Sequence, residues 1–232
     1  MKKICLCLLA VSAALMTAVN AGATTVYVSR ITGYYQSGFD GGEFNITPVL
    51  GNTTGYASSV IVNGGNGNGI ETFCVETSVG IAGSGTYNAS LSQIDSNGNA
   101  LTEGAAWLYM EFAEGILSDY DYSTSVANGS FANRAAAAVD LQEALWELQG
   151  QSYDASLASF YINIVTMAIG AGNLYLANNG FYNVAIVNMY ENDGTPVQNM
   201  LALVPDGGST AMMLGLGLGV MGLMFRRKGS KV

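Results

Sequence analysis

The sequence predicts an α+β fold: a block of three helices set between runs of β-strands. Three observations carry this. Val- and Tyr-rich segments separated by Gly/Asn turns fill the first half of the chain, and three longer segments with helical spacing follow. Short apolar strands then return. Such segregation of strands and helices belongs to the α+β class rather than to alternating β/α units. In order, strands are expected over Thr25–Ile31, Ser58–Val62, Ile70–Thr77 and Thr86–Ser92. Residues 33–56 read as loops or short strands. Helices are expected over about Glu103–Ser118, Asn133–Gln149 and Ser156–Leu176, then strands over Phe181–Tyr190 and Asn199–Val204. The turn Asn63-Gly64-Gly65-Asn66-Gly67-Asn68-Gly69 separates two of the strands. No internal repeat or domain boundary interrupts this body.

The ends are of another kind. Lys2 and Lys3 precede an apolar run, Ile4 to Met16, and small residues ending Val19-Asn20-Ala21. This is the layout of a secretory signal peptide, with cleavage expected after Ala21 and, as runner-up, after Ala23. At the other end Val204-Pro205-Asp206-Gly207-Gly208 leads into an apolar run, Ala211 to Phe225, and then Arg226-Arg227-Lys228. The basic stop fits a helix whose preceding chain lies outside the cytoplasm. The expected division is therefore signal peptide 1–21, α+β domain 22–203 and sorting tail 204–232. Motif, apolar helix and basic stop together resemble the PEP-CTERM class of sorting signals, in a Val-Pro-Asp-Gly-Gly variant. The resemblance implies export, cleavage by an exosortase-type membrane protease, and release or attachment at the cell surface. Before processing, the C-terminal helix would hold the chain in the membrane; an uncleaved helix would be a permanent anchor.

Composition excludes several functions. The chain has 232 residues, 50% hydrophobic and 11% charged, with no histidine. Catalytic triads, Cys-His pairs and histidine-ligated zinc are thereby removed. Only Arg30 and Arg134 of the basic residues lie in the body, against sixteen acids. So acidic a body repels nucleic-acid phosphates. No spacing singles out a catalytic carboxylate pair, so no enzyme is expected. Asp95-x-Asn97-x-Asn99 imitates a calcium loop, yet Ala100 and Ala106 stand where glycine and glutamate are needed. It reads as a polar turn, and no metal or cofactor is expected.

Two residues stand out. Cys5 and Cys7 leave with the signal peptide, so the exported chain keeps a lone cysteine, Cys74. Oxidising compartments favour paired cysteines, so a single one is an intermolecular bridge, a reactive thiol or an inert buried group. On the helix from Asn133, Ala135, Ala138, Val139, Gln142, Leu145, Trp146 and Gln149 form one stripe. Asp140, Glu143 and Glu147 fall on the far side and are expected to meet water. Gln142 thus faces the core, where an unmatched amide costs about 1–3 kcal/mol. A cysteine sulfur can displace ammonia from such a side chain and give an internal thioester, stable while water is excluded. Trp146 would shield it.

Phe73-Cys74-Val75-Glu76 and the later Leu141-Gln142-Glu143-Ala144-Leu145-Trp146 resemble bacterial surface thioester domains, marked by an aromatic-Cys segment and a Gln-x-Ala-aliphatic-Trp helix. Leu141 departs from the small or hydroxyl residue common before the glutamine. The resemblance implies a covalent adhesin whose Gln142 acyl group passes once to a protein amine or a polysaccharide hydroxyl, with Cys74 as leaving group. Glu76, on the strand face of Cys74, and Glu143, beside Gln142, are candidate proton carriers, though both read more simply as solvent-facing acids. The competing expectation is a non-covalent structural or extracellular matrix protein of the envelope with an inert buried cysteine.

Overall fold

The computed structural model describes residues 24–35, 41–50, 53–64, 67–81, 84–122 and 134–204. The expected signal peptide, the apolar tail helix and the basic stop Arg226, Arg227 and Lys228 lie outside the described residues. No described helix is long and apolar enough to cross a membrane.

Among the described residues ten elements make an α+β fold. They are β1 (Thr24–Tyr35), β2 (Gly42–Thr47), β3 (Ile61–Gly64), β4 (Gly67–Thr72), β5 (Ser84–Ser92), α1 (Glu103–Ala113), α2 (Arg134–Leu148), α3 (Ala155–Ile169), β6 (Val184–Tyr190) and β7 (Met200–Leu203). The strands form one sheet in the order β3-β4-β2-β1-β5-β6-β7, and every neighbouring pair is antiparallel. Helix α2 packs on β1 and β2, α3 packs on α2, and α1 packs against both helices and against β6 and β7.

The order hides a closure. The expected strand Ile70–Thr77 stops at Thr72, where the chain changes partner. Thr72 Oγ1 donates to Leu201 O at 2.6 Å and accepts from Leu201 N at 3.1 Å. A hydroxyl thus occupies both backbone groups of Leu201 and ends the β2–β4 ladder. Cys74 then bridges antiparallel to Met200, and Val75 N donates to Asn199 O at 2.9 Å. The outgoing end of β4 therefore lies against β7, and the sheet curls until β7 meets the chain leaving the strand next to its opposite edge. Burial agrees. Every residue of β7, and all of β6 except Tyr190, is buried, as expected of strands covered on both faces.

The helices are shorter than the sequence suggests. Thr102 caps α1, its Oγ1 accepting from Ala105 N at 3.2 Å, with Glu103 in the favourable first turn. Expected to reach Ser118, α1 ends at Ala113 because Gly115 takes φ +75°, and a Cβ there would lie 2.6 Å from Ala57 Cβ. Asp154 caps α3 through Ser156 N at 2.8 Å. The expected extension of α3 to Leu176 fails at Gly170, whose φ of +83° turns the chain away. Strand β2 emerges from the segment read as loops or short strands, and β1 runs on to Tyr35.

Candidate functional site

Helix α2 is buried nearly all round. Leu141, Gln142, Glu143, Ala144, Leu145 and Trp146 are all buried, while Ala135 and Gln149 of the expected stripe are only half-buried. Gln142 is fully enclosed and Cys74 is 5% exposed. The two residues, 68 positions apart, bond reciprocally. Cys74 N donates to Gln142 Oε1 at 2.9 Å, and Gln142 Nε2 donates to Cys74 O at 2.8 Å. The amide expected to need partners finds both on the backbone of the one cysteine of the body.

Gly41 closes the site. It enters β2 with φ +78°, and a Cβ there would fall inside van der Waals contact of Gln142 Cγ, 3.3 Å from Gln142 Cδ and 3.1 Å from Trp146 Cη2. Backbone, amide stem and indole edge therefore meet at one point. Trp146 is 6% exposed, and its Nε1 has no hydrogen-bond partner among the described residues. The ring touches this point as an apolar cover.

This arrangement has chemical consequences. The Cys74 N–H points at Gln142 Oε1, the oxygen that becomes negative when a nucleophile adds to Cδ, and so acts as a fixed donor to that charge. Burial, and after it the nearby Glu76 carboxylate, push the Cys74 thiol up, with Arg30 opposing. The resting sulfur is a thiol, not a thiolate.

Both acids flanking the pair differ from expectation. Glu76 is buried, not solvent-facing. Its Oε2 accepts from Asn199 N at 3.0 Å and its Oε1 from Asn199 Nδ2, while Gln198 Nε2 donates to its backbone O at 2.5 Å. Burial raises its pKa, and the bonds from Asn199 partly offset the rise. Glu143 is also buried, because its Oε2 accepts from Asp154 N at 2.6 Å and thereby ties α2 to the start of α3. Asp140 and Glu147, expected to meet water, are half-buried.

A second buried cluster was not anticipated. Arg134, at the head of α2, donates from Nε to Glu43 Oε1 and from Nη2 to Glu43 Oε2, each at 2.8 Å. It also bonds Glu71 and donates to Tyr122 O at 2.9 Å, and Tyr120 OH donates to Glu43. The available clue was the wheel. Arg134 lies four residues before Ala138, on the core-facing stripe. One guanidinium faces two carboxylates, and Glu43 holds it in a bidentate grip. Glu71, desolvated and beside Glu43, is pushed up to about 8. The folded protein thus keeps a proton that the unfolded chain gives up near pH 4.5. Stability from this group is full below that value and drains away as pH rises through 8. Asp140, raised to about 6 by burial and Glu143, acts in the same direction. The Tm is expected to fall from about pH 5 to about pH 8, and Glu71→Gln is expected to flatten that slope in a thermal-melt series. A Tm that rises across the window would contradict this assignment.

Elsewhere, Asp95 forms a polar turn. Its Oδ1 accepts from Asn97 N at 2.9 Å and Asn99 N at 2.8 Å, and its Oδ2 accepts from Asn99 Nδ2 at 2.9 Å. Among the described residues no group of three or more Cys, Asp or Glu side chains could hold a metal ion. Of the sorting motif only Val204 is described; its N–H donates to Asn183 O at 2.7 Å. Pro205, Asp206, Gly207 and Gly208 lie outside the described residues.

Residues 204–228 match the family described as the VPDSG-CTERM motif, with Gly207 in place of the serine. A C-terminal sorting signal of the PEP-CTERM-like kind is therefore present. It implies an exported, surface-associated protein processed by an exosortase-type protease. Neither a curated protein nor a solved structure matches the chain.

Proposed function

We propose that the exported body, residues 22–203, forms an internal thioester between Cys74 and Gln142 and uses it for covalent, adhesin-like attachment to a partner. The sulfur adds to Gln142 Cδ and ammonia leaves. A protein amine or a polysaccharide hydroxyl later takes the acyl group and frees the thiol. Each molecule reacts once and does not recycle, so the protein is no enzyme in this reading. What carries the proposal is the reciprocal pair of hydrogen bonds, which holds a buried carboxamide against the one cysteine of the body. Enclosure by Gly41 and Trp146 supports it, because a thioester survives only where water is excluded.

The same hydrogen bonds favour a second reading. They satisfy the Gln142 amide without any reaction, as a core glutamine requires. The protein is then a non-covalent structural component of the envelope matrix with an inert thiol. Intact mass separates the two. The thioester reading expects purified protein lighter by one ammonia and a thiol that alkylates only after methylamine treatment. Cys74→Ala and Gln142→Ala should each abolish the mass deficit and the methylamine response. Protein of full mass, with Cys74 open to alkylation only on unfolding, would establish the second reading instead.

A further inference from the structure

The sorting segment leaves the fold beside a surface that is apolar and held in a fixed shape. We propose that this surface, residues 175–182 around Phe181, rests in the interface of the lipid bilayer while the C-terminal tail is still attached. The inference is independent of the thioester. It rests on reading the apolar run, residues 211–225, as a helix held in the membrane before processing.

The exit point is fixed. Val204, the first residue of the matched sorting segment, donates its N–H to Asn183 O at 2.7 Å. Six residues, Pro205 to Thr210, separate it from the apolar run that begins at Ala211. Fully extended, they reach about 20 Å. Phe181 lies two residues before Asn183, so a tail in the bilayer keeps this surface within one short tether of the lipid. A tether of that length gives an effective concentration on the order of millimolar, at which even a weak interfacial contact is occupied.

Single apolar side chains scattered over a surface are ordinary. These are grouped. Tyr175, Leu176 and Phe181 are 58%, 50% and 73% exposed, and Tyr182 sets its ring edge-on to Phe181 with centroids 4.8 Å apart. Leu176 and Tyr182 both border Glu103 at the head of α1, whose N–H donates to Leu176 O at 2.7 Å and whose charge acts on the Tyr182 phenol. The loop beneath them is tied down. Asn178 Nδ2 and Gly180 N both donate to Gln93 Oε1 at 3.0 Å, and Tyr182 N donates to Asn178 Oδ1 at 3.1 Å. Exposure of Phe181 is therefore built into the fold. Aromatic rings and leucine are the side chains that settle at headgroup depth. Residues 170–190 contain no charged side chain, although the body holds sixteen acids. An acidic surface is poorly suited to anionic headgroups, and this stretch brings only the neighbouring Glu103 towards them.

The test uses the full chain in phosphatidylcholine vesicles whose acyl chains carry bromine just below the headgroups, where it quenches nearby tryptophan. Phe181→Trp puts a reporter in the proposed contact. Thr195→Trp puts one in the exposed turn at the other end of β6, about 23 Å away along the strand. Wild type, with Trp107 and Trp146, supplies the background. Bromination is expected to dim the added signal of Phe181→Trp and to leave that of Thr195→Trp unchanged. Tyr175→Trp repeats the measurement on the same surface if Phe181→Trp does not fold. Equal quenching at both ends of β6, or none on the proposed surface, would overturn the proposal. Shielding of Phe181→Trp from aqueous iodide that grows with protein density, without bromine quenching, would assign the surface to a second copy of the chain and overturn it too. A chain that does not float with the vesicles defeats the membrane reading of the tail and the docked surface together, whereas flotation without quenching defeats the surface alone.

Discussion

Arg134→Ala is expected to cost about 3–5 kcal/mol of unfolding free energy, the penalty of leaving buried charge without its partner. Glu43 and Glu71 are 0% and 5% exposed, and the guanidinium bonds both. Without it Glu43 remains desolvated with no cation beside it, next to a Glu71 that already holds its proton. Arg134→Lys should recover little, because one ammonium cannot span Glu43 bidentately and also reach Glu71 and Tyr122 O. Arg134→Met combined with Glu43→Gln and Glu71→Gln should recover much of the loss, since it removes the charges together. Urea unfolding of the four proteins checks this. Near-equal midpoints for wild type and Arg134→Ala would show that water reaches the cluster.

Gly41→Ala is expected to lower stability and to prevent ammonia loss. Its φ of +78° costs an alanine on the order of 1–3 kcal/mol. The added methyl also runs into Gln142 Cγ, so the amide must shift away from Cys74. Gly98→Ala is the control. Its φ is +93°, yet a Cβ there meets nothing within 4 Å. Both variants carry backbone strain, and only Gly41→Ala should retain the full mass of the amide and thiol. If Gly41→Ala loses ammonia as readily as wild type, the glycine does not set the position of the reacting carbon.

The helix wheel and cysteine arithmetic were enough to single out Gln142 and Cys74, because each breaks a local rule: a polar group on an apolar stripe, and an unpaired thiol in an exported chain. Their hydrogen bonding is tertiary and had to come from the fold. Glu143 was misread because a wheel assumes one wet face, whereas the start of α3 covers that side and Asp154 N claims the carboxylate. Gly41 gave no signal, since its role is a close approach by a helix more than ninety residues later in the chain. Glu43 and Glu71 lie on strands where alternation alone cannot show that a buried guanidinium waits opposite. The early end of β4 was equally hidden. Thr72 is an ordinary strand residue until its hydroxyl is seen to serve the backbone of β7.

The placement of β7 has a mechanical consequence. Its last residue, Leu203, is followed at once by the matched sorting segment. A pull transmitted from an anchored C-terminus would load this strand first, along its length. On one side it would strain the rungs to β6, and on the other the contacts to Thr72, Cys74 and Val75. Shear of this kind must stretch many bonds together instead of peeling them singly, and the residues around the sulfur would feel the tension before the helices do.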